Sequence, residues 1–258
     1  MSLNTQGYLS EIYSAIQGEG PFVGVYQLFI RFSACDLRCI WCDTPLSLTR
    51  TKTFSVEKEP GSRIFHTLEN PRSVESLLDL IKGIDYSIFH SISLTGGEPL
   101  LQSDYILEFL RVLKSILKIP IYLETGGHRP VELEQIIDFV DFISMDFKLP
   151  SSAKTAILWD KHEKSLALAL KFDRNVWVKI IISDETQFDE LLFSINLVKS
   201  LSEKFNKKVE IYLQPVSAIN NIKPFDESTL LVSIYNKLAL IYPYIRILPQ
   251  VHKSIGFR

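Results

Sequence analysis

The sequence predicts an α/β protein built on a parallel-stranded sheet, more readily curled into a full or partial barrel than left flat. Three observations carry that expectation. Short apolar runs alternate with longer amphipathic ones, the signature of strand–helix–strand units whose right-handed crossovers lay successive strands parallel. Six or seven such units follow one another, enough to wrap. With 258 residues, 46% hydrophobic and 22% charged, the chain can bury a full core.

The first strand is read at 26–32, an alternating run dense in aromatic and β-branched side chains that feeds straight into a cysteine-bearing loop. Later strands are read at 92–95, 121–124, 142–146, 176–182 and 209–214, with a last one near 245–248. Helical patterns fill the gaps. Ser73 with Glu75 supplies a capping serine and an acidic first turn, Asp104 opens a helix over 105–117, and Thr186 opens a long one toward Lys204. Segment 47–72 breaks the rhythm, being polar and charged with Pro60-Gly61 at its middle and Pro71 before the next helix. It is read as a solvated insertion rather than a lid. No repeat, low-complexity tract or clear linker divides the chain, so a single domain over 1–258 with an insertion at 47–72 is expected.

Lys+Arg 28 against Asp+Glu 30 gives a formal charge of -2, which removes the bulk electrostatic case for nucleic acid or an anionic membrane and leaves a small polar substrate open. No apolar run approaches the roughly 20 residues of a spanning helix, and the opening residues lack the apolar stretch of a secretory signal. A cytoplasmic protein is expected.

All three cysteines fall in Cys35-Asp36-Leu37-Arg38-Cys39-Ile40-Trp41-Cys42, spaced CxxxCxxC. A structural zinc site wants four protein ligands, usually as two separated pairs, and the five histidines stand singly along the chain. Three thiolates suit an iron–sulfur cube whose fourth iron is left open to chelate a small molecule. A zinc knuckle, or three incidental thiols, is the competing reading.

This spacing, with Trp41 just before the last cysteine, resembles the signature of the radical S-adenosylmethionine enzymes. The resemblance implies a partial (β/α)6 barrel and a 4Fe-4S cluster on Cys35, Cys39 and Cys42. It also implies S-adenosylmethionine on the open iron, cleaved to a 5′-deoxyadenosyl radical that abstracts hydrogen from a substrate shielded from water. Thr95-Gly96-Gly97-Glu98-Pro99 looks like the family's GGE motif, two glycines letting the backbone approach a ligand closely. Glu124-Thr125-Gly126-Gly127, Asp146-Phe147-Lys148 and Gln214-Pro215-Val216-Ser217 recur at later strand ends. Each alone reads equally as a turn or an exposed ion pair. The implied cofactor-binding residues are Trp41, Cys42, Asp43, Gly97, Glu98, Thr125, Asp146, Phe147, Lys148, Gln214, Pro215, Val216 and Ser217.

Within that superfamily, the stretch from Glu11 through Gln17-Gly18-Glu19-Gly20-Pro21 resembles the 7-carboxy-7-deazaguanine synthase family. Arg31-Phe32-Ser33-Ala34-Cys35, Trp41-Cys42-Asp43-Thr44, Lys148-Leu149-Pro150-Ser151-Ser152 and Gln250-Val251-His252-Lys253 carry the same likeness. That family contracts 6-carboxy-5,6,7,8-tetrahydropterin, a step toward queuosine and related deazapurines, with loss of ammonia and regeneration of the cofactor. The resemblance implies substrate contacts from Ile16, Gln17, Gly18, Glu19, Arg31, Thr95 and the C-terminal Arg258. Arg31 would grip the substrate carboxylate and the Gln17 amide would meet the pterin edge. It implies magnesium on Thr44, with water and that carboxylate as further ligands. It implies a low-potential flavodoxin- or ferredoxin-type reductant and a homodimer, with no general acid or base for the initiating step. A radical activase acting on a partner's glycine is the nearest rival, set apart by the QGEG stretch and by the lack of further cysteines. Three departures from the family stand out: Ala34-Cys35-Asp36 replaces the Gly-Cys-Asn of many relatives, the 47–72 insertion makes the chain longer than the smallest members, and Asp146-Phe147 precedes Lys148 where some relatives have serine and proline.

Overall fold

The computed structural model describes residues 5–218, 224–225 and 228–256. The strands are β1 (Gln6–Gly7), β2 (Leu9–Ile16), β3 (Tyr26–Phe32), β4 (Thr53–Glu57), β5 (Phe65–Glu69), β6 (Arg72–Ser73), β7 (Ser91–Gly96), β8 (Ile121–Thr125), β9 (Phe142–Asp146), β10 (Asn175–Ile182), β11 (Ile211–Pro215) and β12 (Ile245–Ile247). The helices are α1 (Val74–Ile81), α2 (Ser103–Ile116), α3 (Pro130–Ile136), α4 (Pro150–Ala153), α5 (Trp159–Lys171), α6 (Phe188–Phe205), α7 (Ser228–Ala239) and α8 (Val251–Ser254). Ten strands form one sheet in the order β12-β11-β10-β9-β8-β7-β3-β2-β4-β5, and β1 pairs with β6 apart from it. From β3 to β12 every neighbouring pair is parallel. This is the open, partial barrel the strand–helix alternation predicts.

The positions of the parallel strands were legible, and their side-chain alternation decides the architecture. Successive side chains of a strand point to opposite faces. Ile92 and Leu94, Leu123, Ile143 and Met145, Val178 and Ile180, and Leu213 all join the main core under the helices. The alternate positions face the barrel interior. Near the N-terminal ends of their strands, Tyr122, Trp177 and Tyr212 form a separate buried cluster with Phe22, Phe142 and Leu248 against it. This aromatic layer fills the interior near the strands' N-terminal ends, and the cavity lies toward their C-terminal ends.

Two readings change. Segment 47–72 is not a solvated excursion: β4 and β5 pair antiparallel and extend the sheet through β2, with Phe54 and Val56 buried. Its polarity reflects an edge hairpin in which few side chains are buried: Phe54 and Val56 join the main core, and Phe65 packs against the Tyr13, Ala15 and Phe29 cluster. Thr186 does not cap α6; the cap position is Gln187, and the Thr186 hydroxyl accepts from the Ser183 amide in the preceding turn. Ser73 does cap α1, accepting from the Ser76 amide at 3.2 Å, a contact worth about 1 kcal/mol. Among the described residues, no helix is long and apolar enough to cross a membrane.

Candidate active site

At the C-terminal ends of the parallel strands lies a cavity of about 760 Å³. It is large enough to hold two small molecules together. Among the described residues, six carboxylates line it (Glu11, Glu19, Asp43, Glu98, Glu124, Asp146) against four basic side chains (Arg31, Lys148, Lys179, Lys253). Such an excess of acid suits cationic ligands.

The cysteine loop leaves β3 through Ala34, which stands at φ 79, a left-handed conformation that suits glycine. Asp36 anchors the loop: His128 Nε2 and Arg129 Nη1 each lie 2.8 Å from its carboxylate oxygens. Burial alone would push the Asp36 carboxyl up, yet the His128 hydrogen bond and the neighbouring charges carry it down to about 2. Cys35, Cys39 and Cys42 all line the cavity, half-buried. Burial pushes the Cys35 thiol up to about 11 and raises Cys39. Among the described residues, no three His, Cys, Asp or Glu side chains converge on a point where a single ion would sit. A cube offers separate irons to separate thiolates and does not require that convergence. Trp41 is held by its indole N–H donating to Ser152 Oγ at 3.1 Å and by Lys148 Nζ over its ring at 4.5 Å.

Ala34→Gly is expected to stabilise the cluster-free protein by about 1 kcal/mol, since glycine adopts this φ without a Cβ clash. The check is the midpoint of thermal or urea unfolding; an unchanged or lower midpoint counts against the strain.

Gly96 at the end of β7 and Gly97 after it let this backbone pack against the cysteine loop, and both also line the cavity. A Cβ on Gly97 would stand 2.3 Å from the Ala34 carbonyl oxygen and 2.5 Å from that of Ser47. The Gly97 amide donates to the Phe32 carbonyl and the Glu98 amide to the Ala34 carbonyl, at 3.1 and 2.9 Å. Glu98 is 1% exposed. Its Oε1 accepts from the Leu100 amide and from Thr125 Oγ1, its Oε2 from the Gly126 amide, at 2.8–3.1 Å. The carboxylate therefore clasps the β7 and β8 loops together at the edge of the cavity.

On the far wall the alternation of β9, β10 and β11 aims Asp146, Lys179 and Gln214 inward. Lys148 Nζ donates to Asp146 Oδ2 at 2.6 Å, and Lys179 Nζ lies 3.4 Å from the same oxygen. Lys179 also holds Glu19 Oε2 at 2.5 Å, while Gln214 and Gln250 donate to Glu19 Oε1 at 3.1 and 2.8 Å. Burial works against the Glu19 charge, but Lys179 and these hydrogen bonds bring its carboxyl down to about 2. Asp146 Oδ1 is buried with no protein partner, an acceptor left for a ligand. Gln250 also reaches Asp43 at 3.0 Å and accepts from Ser217 Oγ, and Val251 N donates to the Gly18 carbonyl, so the C-terminal segment closes over the QGEG loop.

On the β2–β3 wall, Arg31 donates through Nε to Glu11 at 3.2 Å and through Nη2 to the Tyr13 hydroxyl. Gln17 is fully committed: its amide donates to Gln27 and to Glu124, both at 3.0 Å, and its oxygen accepts from the Glu19 amide. Thr95 Oγ1 donates to the other oxygen of Glu124 at 2.8 Å.

The expected site residues thus converge with few exceptions. Ile16, Gln17, Gly18, Glu19, Arg31, Thr95, Trp41, Asp43, Thr44, Gly97, Glu98, Thr125, Asp146, Lys148, Gln214, Val216 and Ser217 line the cavity with the three cysteines. Phe147 does not: it is 1% exposed in the core, stacked on His162. Pro215 is buried in β11, and the cavity lining passes from Gln214 to Val216. Arg258 lies outside the described residues. Lys179, Glu124, Glu11, Tyr13 and Gln250 were not among the expected set. The signal for the first two was available: a lone charged residue at an inward position of an otherwise apolar strand.

Comparison with known proteins agrees with this geometry. The family model described as the Radical SAM superfamily matches residues 29–190. A 7-carboxy-7-deazaguanine synthase of Geobacter sulfurreducens is 36% identical over 255 residues, covering 96% of both chains. That of Archaeoglobus fulgidus is 30% identical over 256 residues, covering 97% of this chain and 98% of the relative. The crystal structure of QueE from Escherichia coli superposes with a TM-score of 0.62 at 21% identity, covering 96% of both chains. Native anSMEcpe, solved with bound AdoMet and a peptide, shares the fold at TM-score 0.51 and 13% identity over 84% of this chain and 59% of that one. With the thiols, the GGE loop and the acidic cavity in one place, the chain belongs to the radical S-adenosylmethionine superfamily and, within it, to the 7-carboxy-7-deazaguanine synthase family.

Proposed function

We infer that the protein converts 6-carboxy-5,6,7,8-tetrahydropterin to 7-carboxy-7-deazaguanine and ammonia, as a radical lyase of queuosine and related deazapurine synthesis. The observation that carries this reading, beyond family membership, is one cavity joining the three thiols to an arginine and an interior wall of hydrogen-bonding groups. The residues present fit the implied cofactors. Cys35, Cys39 and Cys42 would hold a 4Fe-4S cluster, and Asp146, with its free buried oxygen, and Lys148 would bind S-adenosylmethionine beside it. When bound, that pair supplies hydrogen-atom abstraction.

The chain's own groups position and shield the substrate. Arg31, braced by Glu11 and Tyr13, presents its remaining N–H groups to the substrate carboxylate. Because the Gln17 side chain is consumed by Gln27, Glu124 and Glu19, recognition from that loop falls to the backbone groups of 16–18. The aromatic layer of Tyr122, Trp177 and Tyr212 excludes water from below. The Thr44 hydroxyl, 3.8 Å from Cys42 Sγ, would donate one oxygen to magnesium, whose other ligands would be water and the substrate carboxylate. A flavodoxin- or ferredoxin-type protein would deliver the electron, and the working form would be a cytoplasmic homodimer.

Anaerobically reconstituted, reduced protein given S-adenosylmethionine and the carboxytetrahydropterin is expected to yield 7-carboxy-7-deazaguanine and ammonia in equal amounts. Cofactor cleavage indifferent to the pterin would overturn the assignment in favour of an activase.

A further inference from the structure

The two walls of the cavity meet at Lys179. On one side stands Asp146, held also by Lys148, which in turn covers Trp41 beside the cysteines. On the other stands Glu19, whose second oxygen is taken by Gln214 and Gln250, and whose amide orients Gln17. Among the described residues, Lys179 is the one basic side chain that reaches both carboxylates, at 2.5 and 3.4 Å. All three side chains are about one-tenth exposed, Lys179 and Glu19 at 12% and Asp146 at 11%.

We infer that Lys179 is a positioning residue that couples the cofactor and substrate halves of the site, so that occupancy of one half raises the affinity of the other. The inference rests on the functional reading above, which places the cofactor against Asp146 and the substrate against the QGEG loop.

The physical reason is dielectric and entropic. The Lys179 ammonium is within ion-pair reach of both carboxylates at once, so the position of each carboxylate is tied through it to that of the other. A ligand on either side expels water, strengthens the Coulomb field and fixes that carboxylate, and with it the ammonium. The second ligand then finds its own carboxylate already held and has less ordering left to do. Asp146 Oδ1 gives the cofactor half a free acceptor through which to act. Glu124 adds to the field on Lys179 from the substrate side, reinforcing rather than opposing this direction. An ion pair with a purely structural role would lower stability without linking the two ligands.

The test is a binding cycle on cluster-loaded protein kept oxidised, so that no turnover occurs. S-adenosylmethionine affinity is measured by calorimetry with and without saturating carboxytetrahydropterin, in wild type, Lys179→Met and Lys179→Arg. In wild type the pterin is expected to tighten cofactor binding about tenfold, within the usual range for coupled sites. In Lys179→Met each ligand is expected to bind alone more weakly and the tightening to vanish, with Lys179→Arg restoring part of it. If Lys179→Met does not fold, the charge-balanced pair Glu19→Gln with Lys179→Met is expected to show the same loss of coupling. Coupling unchanged in the methionine variants, or absent from wild type that binds both ligands, overturns the inference alone. Wild type that binds the cofactor but not the pterin overturns the substrate reading and this inference with it.

Discussion

Cys39→Ala is expected to abolish cleavage of S-adenosylmethionine while leaving the cluster-free fold intact. Cys39 is half-buried at the cavity wall and packs against the edge of the core, so losing its sulfur costs about 1 kcal/mol or less in the free protein. Its loop keeps its backbone anchors without the thiol. The Ile40 amide donates to the Ala153 carbonyl, and the Asp36 carboxylate remains tied to His128 and Arg129. Loss of one of three thiolates, by contrast, leaves two irons without protein ligands instead of one. Iron and sulfide content after anaerobic reconstitution should fall, and cofactor cleavage should drop to the level without protein. Circular dichroism and the unfolding midpoint of the cluster-free variant should stay close to wild type. Wholesale unfolding of that variant would instead mark the cysteine loop as a structural metal knuckle.

Much of this arrangement was readable from the residues, and the parts that were not share a cause. The parallel strands announced themselves because both faces are buried, one by helices and one by the barrel interior, which makes runs such as Val176-Trp177-Val178 nearly continuous in apolar character. β2 and the β4–β5 hairpin did not, because serine, threonine and glutamate interrupt their apolar positions: β2 sends Ile12 to the main core and Tyr13 and Ala15 to a separate small cluster that Phe65 of β5 joins. The cysteine loop, the GGE loop and the strand-end motifs were visible as local spacings. What lay beyond reach were partnerships made across the barrel. Glu19 and Lys179 lie 160 positions apart and meet only because β10 faces the loop after β2 across the interior. Gln17 looked free to bind substrate, yet its amide is spent on Gln27 and Glu124. The glycines at 96 and 97 looked like a ligand cradle, and what their spacing could not show is that a side chain at either would also collide with the backbone of Phe32, Ala34 or Ser47.

Glu98 ties that packing to the next strand, its amide donating to the Ala34 carbonyl and its carboxylate accepting from the β8 loop. Glu98→Ala would leave the Leu100 amide, the Thr125 hydroxyl and the Gly126 amide without their acceptor, in a region where Glu98 itself is 1% exposed. An unsatisfied buried donor costs about 1–3 kcal/mol, and some rearrangement or water entry will recover part of the sum. A net loss of about 3–5 kcal/mol is expected. In a domain of this size that lowers the melting temperature by roughly 10 °C. The loss should not remain local. Because the Gly97 and Glu98 amides hold the Phe32 and Ala34 carbonyls, loosening the clasp shifts the start of the cysteine loop, and cluster retention should fall with stability. Glu98→Gln separates the two effects: it preserves shape, but turns one oxygen into an N–H that opposes one of the three donors, so its destabilisation should be intermediate. If Glu98→Ala melts within about 2 °C of wild type, water has replaced the carboxylate and the clasp has no energetic weight. If it melts low yet holds iron and sulfide as wild type does, the β7 loop does not support the cysteine loop, and the two glycines need another explanation.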